Sequence, residues 1–251
     1  MREAFTYMFK DNCYYKKALV YFILTFIESA CIAYAQMNSC SGMCPVSLNG
    51  ENFTLSKTNV LVFQLIGLLF NFLVVGYFNT CIEAITKQVN NIVIPFFNFV
   101  NSFLRGLKYF VAILIPILGF SIIVAVIQMF NLLVANIILT LITIFYILFG
   151  IGFIWLFANE KSFFAFVSFR KVVNKVIEAP KNYLKYMLFI VLFSVIVILL
   201  KFVLELVLAM FTMTPFVTMI VTTFISGIIS AYFSFVLMYL VAKSLKPNSV
   251  V

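Results

Sequence analysis

Six apolar runs, each long enough to cross a lipid bilayer, divide this sequence. The hydrocarbon core of a bilayer is about 30 Å thick, so one helical crossing takes about 20 apolar residues. Backbone N–H and C=O groups find no water at that depth, and a single run satisfies them by forming an α-helix. We therefore predict an all-α polytopic transmembrane helix bundle, one integral membrane domain over residues 1–251, with spans near 18–35, 60–78, 109–130, 132–157, 186–210 and 216–241.

The composition excludes a water-soluble fold. The chain is 65% hydrophobic and 10% charged, with a mean hydropathy of +1.15. A soluble domain has about 45–50% apolar and about 25% charged residues. The net charge is +9, and the basic residues flank the apolar spans. This position indicates that they set the orientation of the chain in the membrane and contact anionic lipid headgroups. We predict no nucleic-acid partner.

Basic residues gather on one side of the predicted spans. Fifteen of the 17 lysines and arginines lie in the N-terminal segment, in the connections after spans two and four, or in the C-terminal tail. Of the other two, Lys57 lies in a connection on the opposite side and Lys201 lies within span five. Lysine and arginine stay on the cytoplasmic side during insertion. We therefore predict a multi-pass protein of the cell (plasma) membrane with both termini in the cytoplasm.

The polar stretches on the predicted cytoplasmic side are not simple loops. Phe96, Val100 and Phe103 recur at helical spacing with polar residues between them, and Phe169 and Val173 do the same further along. This pattern is typical of basic amphipathic helices that lie in the membrane interface. The predicted interfacial segments are 2–11, 79–108 and 158–185.

Two interpretations of these segments stay open at this point, and both can hold. Their apolar faces enter the acyl region of the bilayer, or they pack against the helix bundle as structural elbows. In the first case, basic side chains lie near the phosphates of the cytoplasmic leaflet. The predicted headgroup contacts are Arg105, Lys108, Arg170, Lys171 and Lys175.

Three ionisable side chains lie inside predicted spans: Glu28, Lys201 and Glu205. Charged groups in lipid pair with one another or line a wet path. Glu28 and Lys201 are predicted at similar depth, and Lys201 and Glu205 are four residues apart on one helix. A small polar site or ion path between spans one and five is one interpretation; a structural pair or snorkelling toward the outer surface is the other. Four further polar residues in the spans are expected to join helices by hydrogen bonds: Gln64, Asn71, Gln128 and Asn136.

The cysteines and the absence of histidine limit which metal sites and catalytic nucleophiles the chain can form. Cys40 and Cys44 lie in the only substantial external connection, where either a disulfide or two free thiols is compatible with the spacing. The chain has no histidine, which excludes histidine metal ligands and Ser-His or Cys-His nucleophiles. It also lacks a P-loop, G-x-G-x-x-G, H-E-x-x-H and G-x-S-x-G. We predict no catalytic residue, no metal site and no cofactor.

A set of motifs lies around the connection after span two. These are Gly76-Tyr77, Ile94-Pro95-Phe96, Phe103 and Gly106-Leu107-Lys108. In these positions the chain resembles an uncharacterised prokaryotic membrane family, domain of unknown function 4013. That family tends to carry acidic residues after the proline, where this chain has Phe96, Phe97 and Asn98. The resemblance implies a multi-span membrane protein and supplies no activity.

Three functions are compatible with this sequence. The favoured one is a non-enzymatic membrane-organising or accessory protein whose interfacial helices contact the cytoplasmic leaflet. The alternative is a small transporter or channel that uses Glu28, Lys201 and Glu205, and the third is an intramembrane enzyme acting on lipid. A transporter requires a water-accessible cavity that reaches Lys201. Membrane lipids are the expected partners, and a protein partner or a second copy of the chain is left open.

Overall fold

The computed structural model describes residues 2–11, 13–39, 47–48, 51–52, 57–87, 94–209 and 215–245. In these residues six helices are long and apolar enough to cross a membrane, which confirms the all-α polytopic bundle. Two short antiparallel strands of two residues each, Ser47–Leu48 and Glu51–Asn52, lie between the first two spans. The helices are α1 (Arg2–Thr6), α2 (Tyr14–Ser39), α3 (Lys57–Lys87), α4 (Phe99–Phe130), α5 (Leu132–Glu160), α6 (Phe169–Glu178), α7 (Pro180–Ala209) and α8 (Pro215–Ser244).

Several spans are longer than their apolar runs. Helix α3 continues to Lys87, and α4 begins at Phe99, ten residues before the apolar run that was expected to form span three. Asn98 starts α4 because its side chain accepts a hydrogen bond from the Asn101 N–H at 3.0 Å. Pro180 occupies the first turn of α7, where a missing N–H costs nothing. Much of the predicted interfacial sequence is therefore an extension of the spans, and α6 is a separate helix.

The described core is concentrated at one end of the bundle, which we call the basic end. There α2, α4 and α7 begin, and α3, α5 and α8 end. Helix α3 packs against α2, α4, α5 and α8, and α7 packs mainly on α8. Apart from Ala135, the buried residues of α5 all lie in its last three turns, near the basic end. The opposite halves of α4 and α5 expose apolar side chains, as expected for lipid-facing surfaces.

A tight turn joins α4 to α5, as the sequence predicts. The Asn131 side chain accepts hydrogen bonds from the N–H groups of Leu133 and Val134, at 3.0 and 3.1 Å. Its own N–H donates to the carbonyl of Ile127 at 2.9 Å. One asparagine therefore ends one span and caps the next, which is why so short a connection suffices.

The N-terminal segment packs into the basic end of the bundle. The Tyr7 hydroxyl donates to the carbonyl of Phe235 at 2.9 Å, and the Tyr7 and Tyr239 ring centroids are 5.0 Å apart. The Phe5 ring meets Phe193 edge-on at 5.4 Å. Of the two interpretations left open for residues 2–11, packing against the bundle is therefore the one observed.

Candidate functional site

Helices α3 and α4 approach more closely than side chains normally allow. A Cβ placed on Gly76 would overlap the carbonyl oxygen of Ser102, and one placed on Gly106 would overlap that of Phe72. Only glycine fits at either position. Small residues at such crossings let helix backbones touch, which is a common way of joining helices in lipid. Two of the motif positions thus fix the α3–α4 crossing.

The other two motif positions lie beside this crossing. The Tyr77 hydroxyl donates to the carbonyl of Pro95 at 2.8 Å, and the Tyr77 ring packs edge-on against Phe97. This contact holds the extended segment before α4 against α3. Gly76, Tyr77, Pro95 and Gly106 therefore form one joint between the two helices.

A buried ion pair ties the N-terminal segment to the same joint. The Lys17 ammonium donates to the Asp11 carboxylate at 2.6 Å and to the Ile94 carbonyl at 2.5 Å. The carboxylate also accepts from the N–H groups of Cys13 at 2.9 Å and Ile94 at 3.0 Å. Both side chains are almost fully buried, at 5% exposed for Asp11 and 2% for Lys17. The pair joins the start of α2 to the segment that precedes α4.

The surroundings of Asp11 favour its charged form. Burial raises the pKa of the carboxyl, but the Lys17 ammonium and the N–H groups of Cys13 and Ile94 lower it by more. The net pKa of Asp11 lies below its ordinary value. The carboxylate is therefore charged at neutral pH and contributes stability in that form.

A second charge cluster lies where α3, α4 and α5 meet. Glu83 accepts from Lys87 at 2.5 Å, from Arg105 at 2.7 Å and from Lys161 at 3.0 Å. The Arg105 guanidinium also donates to the carbonyl of Ala158. One carboxylate thus faces three cations, and the cluster carries an excess of positive charge.

At the start of α4 polar side chains are buried and apolar side chains are exposed, which is the reverse of the expected arrangement. Ser102 is 1% exposed and Arg105 is 5% exposed, whereas Phe96 and Phe99 are 67% and 60% exposed. The guanidinium of Arg105, one of the predicted headgroup contacts, is buried against Glu83. The reason is that α4 is a span: its small and polar residues pack on α3, and its apolar residues turn outward to lipid.

The last turn of α5 leads to α6 through a sharp reversal at the basic end. Lys161 ends α5 in the left-handed region, at φ 55°, and its N–H donates to the Phe157 carbonyl at 2.9 Å. A 3-10 turn, Ala165–Val167, follows, and its Ala165 and Phe166 side chains are buried. The reversal places the start of α6 beside the last turns of α5.

Helix α6 is amphipathic and is anchored by one face. Val172 is buried, and the Phe169 ring packs edge-on against Phe153 of α5 at 5.7 Å. On the other side Arg170 and Lys171 are exposed, and so is Ile177. Of the predicted headgroup contacts on this helix, Lys171 pairs with Glu160 at 2.8 Å and Lys175 with Glu178 at 2.7 Å. Such exposed pairs are weak and exchange readily for other anions.

The ionisable residues within the spans have separate partners. Glu28 accepts from the Asn71 side-chain amide at 2.5 Å, so Asn71 does join α3 to α2 as predicted. The Lys201 ammonium donates to the Ser230 hydroxyl at 2.8 Å, which links α7 to α8. Among the described residues Glu28 and Lys201 form no ion pair with each other, since Glu28 bonds to α3 and Lys201 bonds to α8. The Glu205 side chain lies outside the described residues.

The described part of the chain contains cavities in at least three places. One of about 570 Å³ lies between α4 and α5 beside Pro116 and Tyr146, and one of about 540 Å³ lies against the start of α5. The third, of about 420 Å³, lies at the basic end beside Arg105. Neither Glu28 nor Lys201 lines any of these three.

The cysteines contribute no described site. Cys40 and Cys44, the candidate disulfide, lie outside the described residues. Cys13, Cys31 and Cys81 are free thiols. No group of three histidine, cysteine, aspartate or glutamate side chains comes together within the described ranges.

Glu83 was not singled out by the sequence, and Asp11 entered only with Phe5-Thr6-Tyr7 as part of the family resemblance, although each organises a buried ion pair. A usable signal was present in the scarcity of acidic residues, since the chain has only 8 of them against 17 basic residues. An acid that lies within a basic segment between spans is a strong indication of a local ion pair. Lys87 lies on the same helix as Glu83, but Arg105 and Lys161 come from other helices, so their identity requires the tertiary structure.

Six membrane-crossing helices, closely packed at their basic end, define this chain as a multi-pass integral membrane protein. Comparison with protein-family models, with curated proteins and with solved structures found no match.

Proposed function

We propose that this chain is a non-enzymatic membrane-organising or accessory protein of the cell membrane, with its basic end and both termini on the cytoplasmic side. The observation that carries this proposal is α6, which is anchored by Phe169 and Val172 and presents Arg170 and Lys171 outward. A helix held in this way lies at the level of the phospholipid headgroups. Anionic lipids of the inner leaflet attract its exposed cations.

Exposed phenylalanines beside the cations support this position. Phe96 and Phe99 precede Lys108 on one side, and Phe163 and Phe164 flank Lys161 on the other. Large apolar side chains exposed next to cations are unfavourable in water but fit the boundary between acyl chains and headgroups. The basic end therefore has the surface of an interfacial region.

The polar residues of the spans support a structural role. Glu28 and Lys201 each hydrogen-bond to the neighbouring helix, which satisfies a polar group in lipid and joins the two helices. The transporter hypothesis gains no observation from these contacts. The resemblance to domain of unknown function 4013 stays a prediction, and its four motif positions have a packing role in this chain.

The α6 proposal predicts a loss of anionic lipid when its charges are removed. In the triple variant Arg170→Gln, Lys171→Gln, Lys175→Gln, we expect roughly a hundredfold weaker enrichment of phosphatidylglycerol around the protein, since each cation near the surface contributes about 1 kcal/mol. The measurement is the lipid composition retained on protein reconstituted in vesicles of phosphatidylcholine with a minor share of phosphatidylglycerol. Solute flux through the same vesicles should stay at the background level in both proteins.

The matched control removes three other exposed cations of the basic end, Lys16→Gln, Lys181→Gln and Lys185→Gln. Because these side chains belong to α2 and α7 and not to α6, we expect a smaller loss of phosphatidylglycerol. An equal loss in both triple variants would show that α6 has no special part in lipid contact. A protein-dependent solute flux would contradict the proposal outright.

The proposed orientation is tested by fusions at both ends. A green fluorescent protein fused after Val251 should fluoresce in a bacterial host, because it folds in the cytoplasm. Alkaline phosphatase fused at the same position should be inactive there, since it needs the oxidising side of the membrane. The reverse pattern would contradict the predicted topology, and the same pair placed before Met1 gives the independent check.

A further inference from the structure

The cavity of about 420 Å³ at the basic end has a mixed lining. Asn101, Arg105 and Lys108 of α4 form one wall together with Lys161 at the end of α5. Leu104 and Phe163 are among the apolar residues that complete it. Three cations and an amide therefore face a space that is also lined by hydrocarbon.

The charges around this cavity are not balanced within the described residues. Glu83 is the carboxylate of the cluster, and Lys87, Arg105 and Lys161 already share it. The Nε of Arg105 is buried and has no hydrogen-bond partner in the described structure. The sequence of residues 88–93, which follows Lys87, contains no acidic residue. A buried donor and surplus positive charge are costly unless an anion completes the cluster.

The surface that continues from the cavity indicates what kind of anion fits. Lys108 and Val111 share a face of α4 with Leu118, Ile122 and Val126, which are exposed along the span. The cavity opens at the level where that apolar stripe begins. A soluble phosphate would use only the cations, whereas a phospholipid would also cover the stripe with its acyl chains.

We propose that this cavity binds the headgroup phosphate of one anionic phospholipid, whose acyl chains lie along the exposed face of α4. The phosphate oxygens accept hydrogen bonds from Lys108 and Lys161, with the Asn101 amide at the rim and the Arg105 guanidinium behind them. The assignment rests on the proposed function, because it requires the basic end to lie at the headgroups of an anionic leaflet. It adds a discrete site of single stoichiometry to a general surface contact.

The test counts lipids retained by the whole protein. Wild type and the variant Lys108→Gln, Lys161→Gln are placed in nanodiscs of phosphatidylcholine with a minor share of phosphatidylglycerol, and bound lipid is counted by native mass spectrometry. We expect wild type to keep one phosphatidylglycerol and the double variant to bind it about tenfold more weakly. The matched control is Lys181→Gln, Lys185→Gln, which removes two exposed cations from the start of α7 and should keep the lipid.

Each remaining outcome has a definite meaning. The variant Lys108→Arg, Lys161→Arg keeps both charges and should retain the lipid, which separates loss of the site from loss of the fold. Equal loss in both glutamine variants, or no loss in either, would overturn the discrete site. Displacement of the lipid by inorganic phosphate alone would overturn the assignment to phospholipid. The α6 triple variant keeps this cavity and should still retain the single lipid. The proposal of a discrete site is therefore tested separately from the proposed surface contact of α6.

Discussion

Replacing Gly106 by valine is expected to separate α3 from α4 and to leave little folded protein in detergent extracts. A Cβ at this position overlaps the Phe72 carbonyl, which belongs to the backbone of a helix and has no free rotation to escape. Overpacking of a close contact costs about 1–3 kcal/mol, and more where backbone must move. We therefore expect at least about 3 kcal/mol of lost stability for Gly106→Val, and a similar loss for Gly76→Val.

The chain supplies matched controls for this experiment. Gly119 lies on the same helix as Gly106, and Gly150 lies on α5, but a Cβ on either would meet no atom within 4 Å. Alanine at these positions should be neutral or stabilising by about 0.5–1 kcal/mol, because glycine weakens a helix interior. The readout is the midpoint of thermal aggregation, followed by size-exclusion chromatography. If Gly106→Val were as stable as Gly119→Ala, the close α3–α4 crossing would be wrong.

Lys17→Met is expected to give the second largest loss. The substitution keeps the volume of the side chain but leaves the Asp11 carboxylate buried without its cation. Breaking a buried ion pair by removing one partner costs about 3–5 kcal/mol. The reverse substitution, Asp11→Leu, strands the Lys17 ammonium and should cost a comparable amount. In the double variant Asp11→Leu, Lys17→Met neither charge remains, so its loss should be smaller than the sum of the two single losses.

The same pair predicts a dependence of stability on pH. The pKa of Asp11 is lowered in the folded state, so the contribution of the carboxylate is fully present above its ordinary pKa of about 3.9. The contribution is lost as the pH falls through the lower folded value, because protonation then breaks the pair. In Lys17→Met the raising effect of burial is no longer opposed by the cation, so protonation relieves the buried Asp11 charge and the acid-induced loss seen in wild type should shrink or reverse. Thermal midpoints of wild type and Lys17→Met across the acid range give the comparison, and identical curves would contradict the buried pair.

Much of the fold follows from composition over runs of residues. The six spans, the tight turn at Asn131 and the gathering of basic residues at one end were predicted from apolar length and charge position. These features survive small errors in register, because a bilayer selects on the total transfer free energy of about 20 residues. The contact between Asn71 and Glu28 was predictable in kind, since a polar side chain in lipid seeks a partner on the next helix.

The candidate site was less predictable because helical spacing gives faces without saying what covers each face. Residues 96–105 have an amphipathic pattern, and the pattern alone fits a helix on the membrane surface as well as the start of a span. The structure continues this segment into α4 and turns Arg105 inward to Glu83. Residues 169–178 have the same kind of pattern, yet there the cations stay outside. The difference lies in the neighbours: α3 offers Glu83 and the backbone at Gly76, whereas α5 offers α6 an apolar aromatic surface.

Six helices long and apolar enough to cross a membrane, with the basic residues gathered at one end, could be predicted without knowing any contact between helices. Both properties are sums over many residues and depend on the solvent that surrounds each run. The packing of the helices was needed to show that Gly76 and Gly106 meet opposing backbone, that Asp11 and Lys17 are buried together, and that Glu83 contacts three cations. Most of these contacts join different helices, and the burial of each depends on helix rotation and crossing, which local pattern leaves free.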